Sequence, residues 1–132
     1  MNSQQKILEL RNIIQGQLTP LITNDYIFLD LPYFPNIGDT LIWQGTIDFL
    51  KTLPYKCLYS SSIENYKKPK INKETIILLM GGGNFTDLWY RHQIFRKEIL
   101  QSFPLNKIVQ LPQSIYFKDE NILKEDAKIF AQ

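Results

Sequence analysis

An uncharged run at residues 75–80 leads directly into three consecutive glycines at residues 81–83. A short continuous apolar run of this kind is typical of a strand that is buried on both faces of a parallel sheet. The glycines permit positive φ angles and let a ligand or a second backbone segment approach closely. We therefore predict a central β-strand and a sharp turn at the carboxyl edge of an α/β sheet, where such folds bind ligands.

Apolar runs and amphipathic stretches alternate along the rest of the chain. Further strands are predicted at residues 25–29, 55–60 and 107–111, and helices at residues 3–17, 40–50, 85–101 and 121–130. This alternation implies an α/β fold class with a doubly wound, Rossmann-like parallel sheet, in one domain over residues 1–132. The polar, lysine-rich segment 61–74 is expected to be a loop or a short surface helix. Because no strand follows the last helix, we expect a part of a longer protein or a trimmed relative of one.

Three polar residues are predicted to shape the helix starts. Asp39 and Asn84 each precede a helical pattern and are candidate N-caps, and Asp87 would complete a weaker form of the capping box with Asn84. Gly45 lies inside the second predicted helix, where glycine costs about 1 kcal/mol relative to alanine. We expect it to mark close packing against the sheet or a ligand.

Charge and cysteine content exclude several functions. The 132 residues carry a formal net charge of +2, and they contain no long basic stripe, which argues against a nucleic-acid partner. The cluster at Lys67, Lys68 and Lys70 is interpreted as a solvated loop rather than a phosphate site. Cys57 is the only cysteine, so an internal disulfide and a zinc site of several cysteines are excluded. We expect Cys57 to be a buried structural thiol.

Other sequence signals are missing as well. No apolar segment has the length of a signal-peptide core or of a membrane span of about 20 residues, so the chain is predicted to be cytoplasmic and not membrane-spanning. The glycine run matches neither a Walker loop nor the complete dinucleotide fingerprint. Neither a cofactor nor a metal ion is predicted.

Three loops that follow predicted strands should meet at one edge of the sheet, at residues 35–39, 81–84 and 112–114. The first two lead into predicted helices, so they offer unpaired backbone N–H groups and the positive end of a helix dipole. That environment suits an anion or the hydroxyls of a sugar. The predicted substrate-binding residues are Asn36, Gly38, Gly81, Gly82, Gly83, Asn84, Arg91, Gln113 and Ser114.

Two residues are predicted to be catalytic. Asp39 could act as a general base or hold a sugar hydroxyl, although capping is the commoner role of such an aspartate. His92 could be a general acid, with a structural histidine as the alternative. Arg91 could grip a phosphate or carboxylate, with a surface ion pair as the alternative. Three aromatic residues are candidates for stacking on a sugar ring or for the core: Trp43, Trp89 and Tyr90.

Three segments occur in a distinctive order: NIGDTLI at residues 36–42, GGGNFTDLW at residues 81–89 and IVQLPQSIYF at residues 108–117. Together they resemble the polysaccharide pyruvyl transferase family. The resemblance runs from about Tyr26 to the end of the chain and covers the N-terminal half of the family architecture. It implies one half of a fold similar to GT-B-type glycosyltransferases, whose site lies in the cleft between two Rossmann-like halves.

The resemblance also implies an activity in exopolysaccharide, capsule or cell-wall polymer synthesis. Family members transfer a pyruvyl group from phosphoenolpyruvate to two hydroxyls of a sugar, which leaves a cyclic ketal and phosphate. By this resemblance Asp39 serves the acceptor hydroxyl, Asn36 and Asn84 orient the sugar, and Arg91 or His92 assists with the anion. In members of the family, much of the binding site for the donor comes from the second half of the protein, so a second chain or domain is expected to complete the cleft.

Two other functions stay open. The chain could be half of a glycosyltransferase, which would bind a sugar nucleotide and ignore phosphoenolpyruvate. It could also be a non-catalytic remnant that binds a saccharide or a partner chain. The sign of that last function would be an exposed apolar face that recruits a second polypeptide.

Overall fold

The computed structural model describes residues 1–33 and 35–131, which leaves Phe34 and Gln132 outside the described residues. The helices are α1 (Ser3–Leu18), α2 (Ile37–Leu50), α3 (Tyr90–Ser102) and α4 (Glu120–Phe130), with a short 3-10 helix at Thr19–Leu21. The strands are β1 (Tyr26–Leu29), β2 (Cys57–Ser61), β3 (Ile76–Leu79), β4 (Gly82–Thr86), β5 (Ile108–Gln110) and β6 (Gln113–Tyr116). The predicted α/β class is confirmed.

Four of the strands form a parallel sheet in the order β2-β1-β3-β5. Tyr26 of β1 lies opposite Cys57 of β2 on one side and opposite Ile76 of β3 on the other. From β1 the chain moves outward to β2 and then returns to β3 across β1. The direction of winding therefore reverses between β1 and β3, and open α/β sheets bind ligands beyond the carboxyl ends of strands at such a point.

Helices cover both faces of the sheet, and each face has its own core. On one face Phe28 clusters with Phe49 of α2, and on the other Ile77 clusters with Phe95 and Ile99 of α3. All residues of β1 and β3 are buried, as the run at residues 75–80 predicts. Burying each large aliphatic side chain contributes about 1.5–3 kcal/mol, so these two strands are a main source of stability.

The predicted helix start at Asn84 is wrong. Asn84 lies inside β4, which pairs in parallel with β6 in a separate two-stranded sheet. The helix expected from residue 85 begins only at Tyr90, and its N-cap residue Trp89 makes no side-chain capping hydrogen bond. We call the β4–β6 pair the ribbon. It also includes residues 113–114, which are part of the loop predicted at residues 112–114.

The glycines explain why the chain continues as a strand here. A Cβ at Gly81 would lie 2.3 Å from the carbonyl oxygen of Pro112, so only glycine lets the two segments approach so closely. Gly82 has a φ of 137°, a conformation that L side chains rarely adopt. Its N–H donates to the Pro112 carbonyl at 3.2 Å. The glycine run therefore lets the Pro112 segment approach closely, and the chain continues as a strand that pairs with β6.

Helix α2 begins earlier than predicted, and Asn36 rather than Asp39 is its N-cap. The Asn36 side chain accepts a hydrogen bond from the Asp39 N–H at 3.1 Å. Asp39 thus lies in the first turn, where the helix dipole stabilises a carboxylate. The sequence alone could not show which of the two residues is the N-cap, because asparagine and aspartate are equally good caps.

The packing predictions for Gly45 and Cys57 have different outcomes. Gly45 is exposed, and a Cβ there would meet nothing within 4 Å, so it does not pack closely against the sheet, whereas its place beside a ligand stays a prediction. The prediction of a buried thiol is wrong. Cys57 is an exposed free thiol, because β2 is an edge strand with most of its residues at the surface. Among the described residues, no helix combines the length and the apolar character that crossing a membrane requires.

Candidate functional site

A concave site of about 440 Å³ lies beside the ends of β1 and β3, which we call the polar cavity. Its lining residues are Asn36, Asp39, Gly83, Asn84, Trp89 and His92. Its size falls in the range of about 300–1,000 Å³ that is usual for small-molecule sites. Five of these residues belong to the predicted site, and Trp89 was among the predicted aromatic candidates.

The three predicted loops do meet at this edge. A Cβ at Gly82 would lie 3.3 Å from Asp39 Oδ1, so the first turn of α2 abuts the ribbon. The Ser114 hydroxyl donates to the Gly82 carbonyl at 3.4 Å, and Gln113 Nε2 donates to Asn84 Oδ1 at 3.0 Å. Side chains from α2, β4 and β6 are thus held together around one space.

His92 lies in the first turn of α3 and contacts a buried carboxylate. Its Nδ1 is 2.8 Å from Asp30 Oδ1 and 3.2 Å from Asn84 Nδ2. Asp30 directly follows β1, is only 3% exposed and has a φ of 65°. Left-handed backbone is uncommon for residues other than glycine, and such strain clusters at functional sites.

Arg96 lies one turn beyond His92 and is completely buried. Its Nη2 is 3.5 Å from Asp30 Oδ2 and also donates to Asn84 Oδ1. Its Nε donates to Gln110 Oε1 at 3.1 Å. Burial lowers the pKa of Arg96 to about 10, against the attraction of the Asp30 carboxylate. The guanidinium therefore remains cationic at neutral pH and balances the charge of Asp30.

The side-chain amide of Asn84 has a defined orientation. Its oxygen accepts hydrogen bonds from Arg96 Nη2 and Gln113 Nε2, which are both donors. Its Nδ2 is consequently directed to His92 Nδ1. Asp30, Asn84, His92 and Arg96 form one connected network, which we call the buried network.

Some predicted site residues do not line the polar cavity. Arg91 forms an exposed ion pair with Glu64, with 2.8 Å between Nη1 and Oε1. Gly38 lies in the first turn of α2, where a Cβ would meet Asn36 Oδ1 at 3.3 Å. Gly81 is buried against Pro112. These three positions shape or flank the site rather than face its interior.

The three aromatic candidates have different environments. Trp43 is partly buried against the core, and Tyr90 accepts a hydrogen bond from Lys97 through its hydroxyl at 2.6 Å. Trp89 lines the polar cavity and is 63% exposed. Trp89 is therefore the aromatic residue that is placed to contact a ligand there.

Positive charge is scarce at the polar cavity. None of the described lining residues is a lysine or an arginine, and the guanidinium of Arg96 is engaged by Asp30, Asn84 and Gln110. Within residues 1–33 and 35–131, no group of three or more His, Cys, Asp and Glu side chains could hold a metal ion.

A comparison with protein-family models gives a match over residues 36–132 to the model described as polysaccharide pyruvyl transferase. The chain belongs to this family. The match contains every described residue that lines the polar cavity and, of the buried network, all but Asp30.

Several known proteins are similar in sequence to this chain. EpsO of Bacillus subtilis strain 168, which is named as a pyruvyl transferase, is 36% identical over 134 residues, covering all of this chain and 42% of EpsO. Pyruvyl transferase 1 of Schizosaccharomyces pombe is 26% identical over 113 residues, covering 79% of this chain and 28% of that protein. General stress protein 30 of Bacillus subtilis is 30% identical over 95 residues, or 67% of this chain and 28% of its own length. The chain thus spans less than half the length of these relatives.

Sequence reasoning missed two residues of the buried network. Asp30 directly follows β1 at the same sheet edge as the predicted loops, so the strand-end argument applies to it equally. Arg96 is four residues after His92 and lies on the same side of α3. Lys97 and Glu98 follow it directly, and such a charged run gave no indication that a guanidinium would be enclosed.

Another concavity, of about 590 Å³, lies between α1 and α2 and shares none of its described lining residues with the polar cavity. We call it the apolar groove, and its apolar side chains include Ile7, Leu10, Ile14, Leu18, Ile42 and Phe49. Helix α1 buries none of its residues. The polar cavity and the apolar groove thus differ in the chemistry of their described lining residues.

Proposed function

We propose that this chain forms the acceptor side of an enzyme that transfers a pyruvyl group from phosphoenolpyruvate to two hydroxyls of a saccharide. The observation that carries the proposal is the polar cavity, where Asn36, Asp39, Asn84 and His92 converge in a chain of this family. The polar cavity lies where the direction of winding reverses between β1 and β3, and this position supports the same conclusion, since open α/β sheets bind ligands there.

The reaction sets clear demands on such a site. Carbon 3 of the enol gains a proton, carbon 2 forms bonds to two sugar oxygens, and the bond between carbon 2 and the phosphate oxygen breaks. The two hydroxyls give up two protons, of which one balances the new methyl group and the other the departing hydrogen phosphate. A base near the acceptor and an acid near the enol are therefore both useful.

We assign the base to Asp39 and the acid to His92. Asp39 lines the cavity from the first turn of α2 and is free of the capping role, which Asn36 fulfils. Asn36 and Asn84 offer side-chain amides to sugar hydroxyls. The exposed ring of Trp89 offers an apolar face against which a sugar ring can pack.

The donor phosphate and carboxylate need cationic partners that the described lining residues do not provide. We propose that these partners come from a second Rossmann-like half, on the same chain or another, that faces this one across a cleft as in GT-B-type folds. The relatives leave room for such a half, because this chain covers only 42% of EpsO and 28% of the Schizosaccharomyces pombe protein.

The test is phosphate release from phosphoenolpyruvate, measured with a panel of saccharide acceptors on the protein that carries this chain. Asp39→Asn should lower turnover at least about tenfold, because it removes a general base but keeps the shape of the side chain. Asp48→Asn is the matched control on the same helix, where Asp48 bonds only to Gln44 among its recorded partners. Near-normal turnover in the Asp39→Asn protein would remove Asp39 from the mechanism.

A second candidate function is saccharide binding without transfer. The scarcity of cations around the polar cavity favours it, since a donor phosphate would have little to hold it there. In that case the protein binds saccharides and releases no phosphate with any acceptor. A sugar-nucleotide glycosyltransferase half would instead be revealed by competition from a nucleotide sugar and by indifference to phosphoenolpyruvate.

A further inference from the structure

We propose that Asp30 is the positioning residue of this site and that it holds His92 in the tautomer with its proton on Nδ1. The proposal rests on the proposed function only for what the His92 proton does in transfer. Its structural part rests on the contacts of the buried network, which bring a carboxylate and an amide donor to the same ring nitrogen.

Two neighbours of His92 Nδ1 make opposite demands on it. Asp30 Oδ1 is a carboxylate oxygen at 2.8 Å and can only accept a hydrogen bond from an Nδ1–H group. Asn84 Nδ2 at 3.2 Å is a donor, because the Asn84 oxygen already accepts from Arg96 and Gln113. In a neutral ring Nδ1 can satisfy one of them at a time.

Geometry and charge both favour Asp30. Its oxygen is 0.4 Å closer to Nδ1 than the Asn84 nitrogen is, since the two distances are 2.8 and 3.2 Å. Hydrogen bonds to an ionised acceptor are roughly twice as strong as those between neutral groups. Among the described residues, the ion pair with Arg96 is what the buried Asp30 carboxylate would keep if it lost this donor. We therefore assign the Nδ1 proton to the Asp30 contact.

This assignment decides which nitrogen of His92 acts on a ligand. Nδ1 keeps its proton in both the neutral and the cationic ring, so the proton that is given up and regained is the one on Nε2. Asp30 also fixes the ring where it lines the polar cavity. The left-handed backbone of Asp30 is then explained as strain that is retained for the position of its carboxylate.

The chain makes a direct test possible because His92 is its only histidine. Long-range proton–nitrogen correlation spectra of the labelled chain, recorded where the ring is neutral, distinguish the two tautomers without residue assignment. We expect the Nδ1–H form in the unmodified chain. Asp30→Gly removes the acceptor and tolerates the backbone φ of 65°, so it should convert the ring to the Nε2–H form with Asn84 as donor.

Controls separate the carboxylate from the rest of the fold. Asn84→Ala should leave the Nδ1–H form unchanged, and Glu64→Gln, which removes the exposed ion pair with Arg91 next to His92 in the chain, should do the same. If Asp30→Gly fails to fold, Asp30→Asn keeps the shape and should raise the Nε2–H population. An unchanged Nδ1–H spectrum in the folded Asp30 variant, or an Nε2–H spectrum in the unmodified chain, overturns the proposal.

Kinetics test the role in transfer separately. In the protein that carries this chain, Asp30→Asn should lower kcat at least about tenfold and change KM less than about threefold, because ring orientation matters more in the transition state than in binding. Unchanged kcat would overturn the catalytic part of the proposal. If the unmodified protein releases no phosphate with any acceptor, the proposed function fails, whereas the tautomer spectra still decide the structural part.

Discussion

The four-stranded sheet and the ribbon are stabilised by different interactions. Strands β1 and β3 are apolar, and every residue in them is buried between two layers of helices. The ribbon begins with a glycine-mediated backbone approach and carries Asn84, whose side-chain oxygen and backbone carbonyl both accept hydrogen bonds from Arg96. Phe85 of the ribbon packs beneath the same guanidinium, with 4.9 Å between Arg96 Cζ and the ring centroid.

This difference separates stability from function within one fold. Apolar burial stabilises the sheet whatever lies at its edge, whereas the ribbon depends on a buried ion pair and on tight backbone contacts. Locally unfavourable features lie in the ribbon, directly before it or in the buried network, to which Asn84 of the ribbon belongs. They are the positive φ of Asp30, the buried side chain of Arg96 and the consecutive glycines. Departures of this kind are expected where a protein holds a ligand.

The largest effect should come from Arg96→Met. Removing the guanidinium leaves Asp30 buried without its cation and removes the donors to Asn84. Loss of one partner of a buried pair typically costs about 3–5 kcal/mol. Denaturant unfolding of the variant should show a loss in that range. A loss below about 1 kcal/mol would mean that the ribbon does not depend on this ion pair.

The double variant Asp30→Asn/Arg96→Met serves as its control. Because both charges are removed, no uncompensated ion remains, and replacing a buried pair is less costly than breaking it. The double variant should therefore be more stable than Arg96→Met alone. Additive losses would show that the two side chains act independently.

A smaller effect is expected from Gly81→Ala. The new Cβ would lie 2.3 Å from the Pro112 carbonyl oxygen, so the backbone of the ribbon must shift. Overpacking of this kind costs about 1–3 kcal/mol. Gly45→Ala is the matched control, because the new Cβ would meet nothing within 4 Å at an exposed position of α2. This substitution should stabilise the chain by about 0.5–1 kcal/mol. Equal stability changes at the two positions would contradict the close approach at Gly81.

The smallest effect should depend on pH. Hydrogen bonds from the backbone N–H groups of Lys118 and Asp119 lower the pKa of the Asp87 carboxyl. The stability that ionised Asp87 adds is present above the ordinary carboxyl pKa of about 3.9. It is lost as the pH falls through the lower pKa of the folded state.

Unfolding of Asp87→Asn at several pH values checks this prediction. The variant should be less stable than the unmodified chain at neutral pH, and the gap should close in acid. Glu125→Gln, at an exposed position on α4, controls for the general loss of a carboxylate. A gap between Asp87→Asn and the unmodified chain that does not change with pH would contradict the assigned cause.

The sheet was predictable from sequence and the ribbon was not. Apolar runs such as residues 75–80 identify buried strands because little else accommodates them. In the ribbon, Asn84 and Asp87 satisfy the local rules for a helix cap, but tertiary pairing with residues 113–116 prevails. Asp87 instead accepts hydrogen bonds from the loop before α4. No short-range sequence pattern predicts this contact.

In the candidate site, too, some features were predictable from the sequence and others were not. Strand-end loops correctly indicated which segments meet, including Asn36, Asp39 and Asn84 at the polar cavity. Arg91 pairs with Glu64, 27 residues away in the chain, and that contact could not be read from spacing. The pairing of Asp30 with His92 spans 62 residues. Such contacts depend on how the sheet is wound, so sequence alone leaves them undetermined.

The most direct test of the account asks where a saccharide binds. The chain contains two tryptophans and one histidine, so their side-chain N–H signals report on the polar cavity through Trp89 and His92, and on the core beside α2 through Trp43. Titration with a panel of hexose oligosaccharides, with and without phosphoenolpyruvate, should shift the Trp89 and His92 signals and leave Trp43 in place. A shift of Trp43 alone, or no shift at Trp89 with any saccharide, would contradict the claim that the polar cavity is the acceptor site.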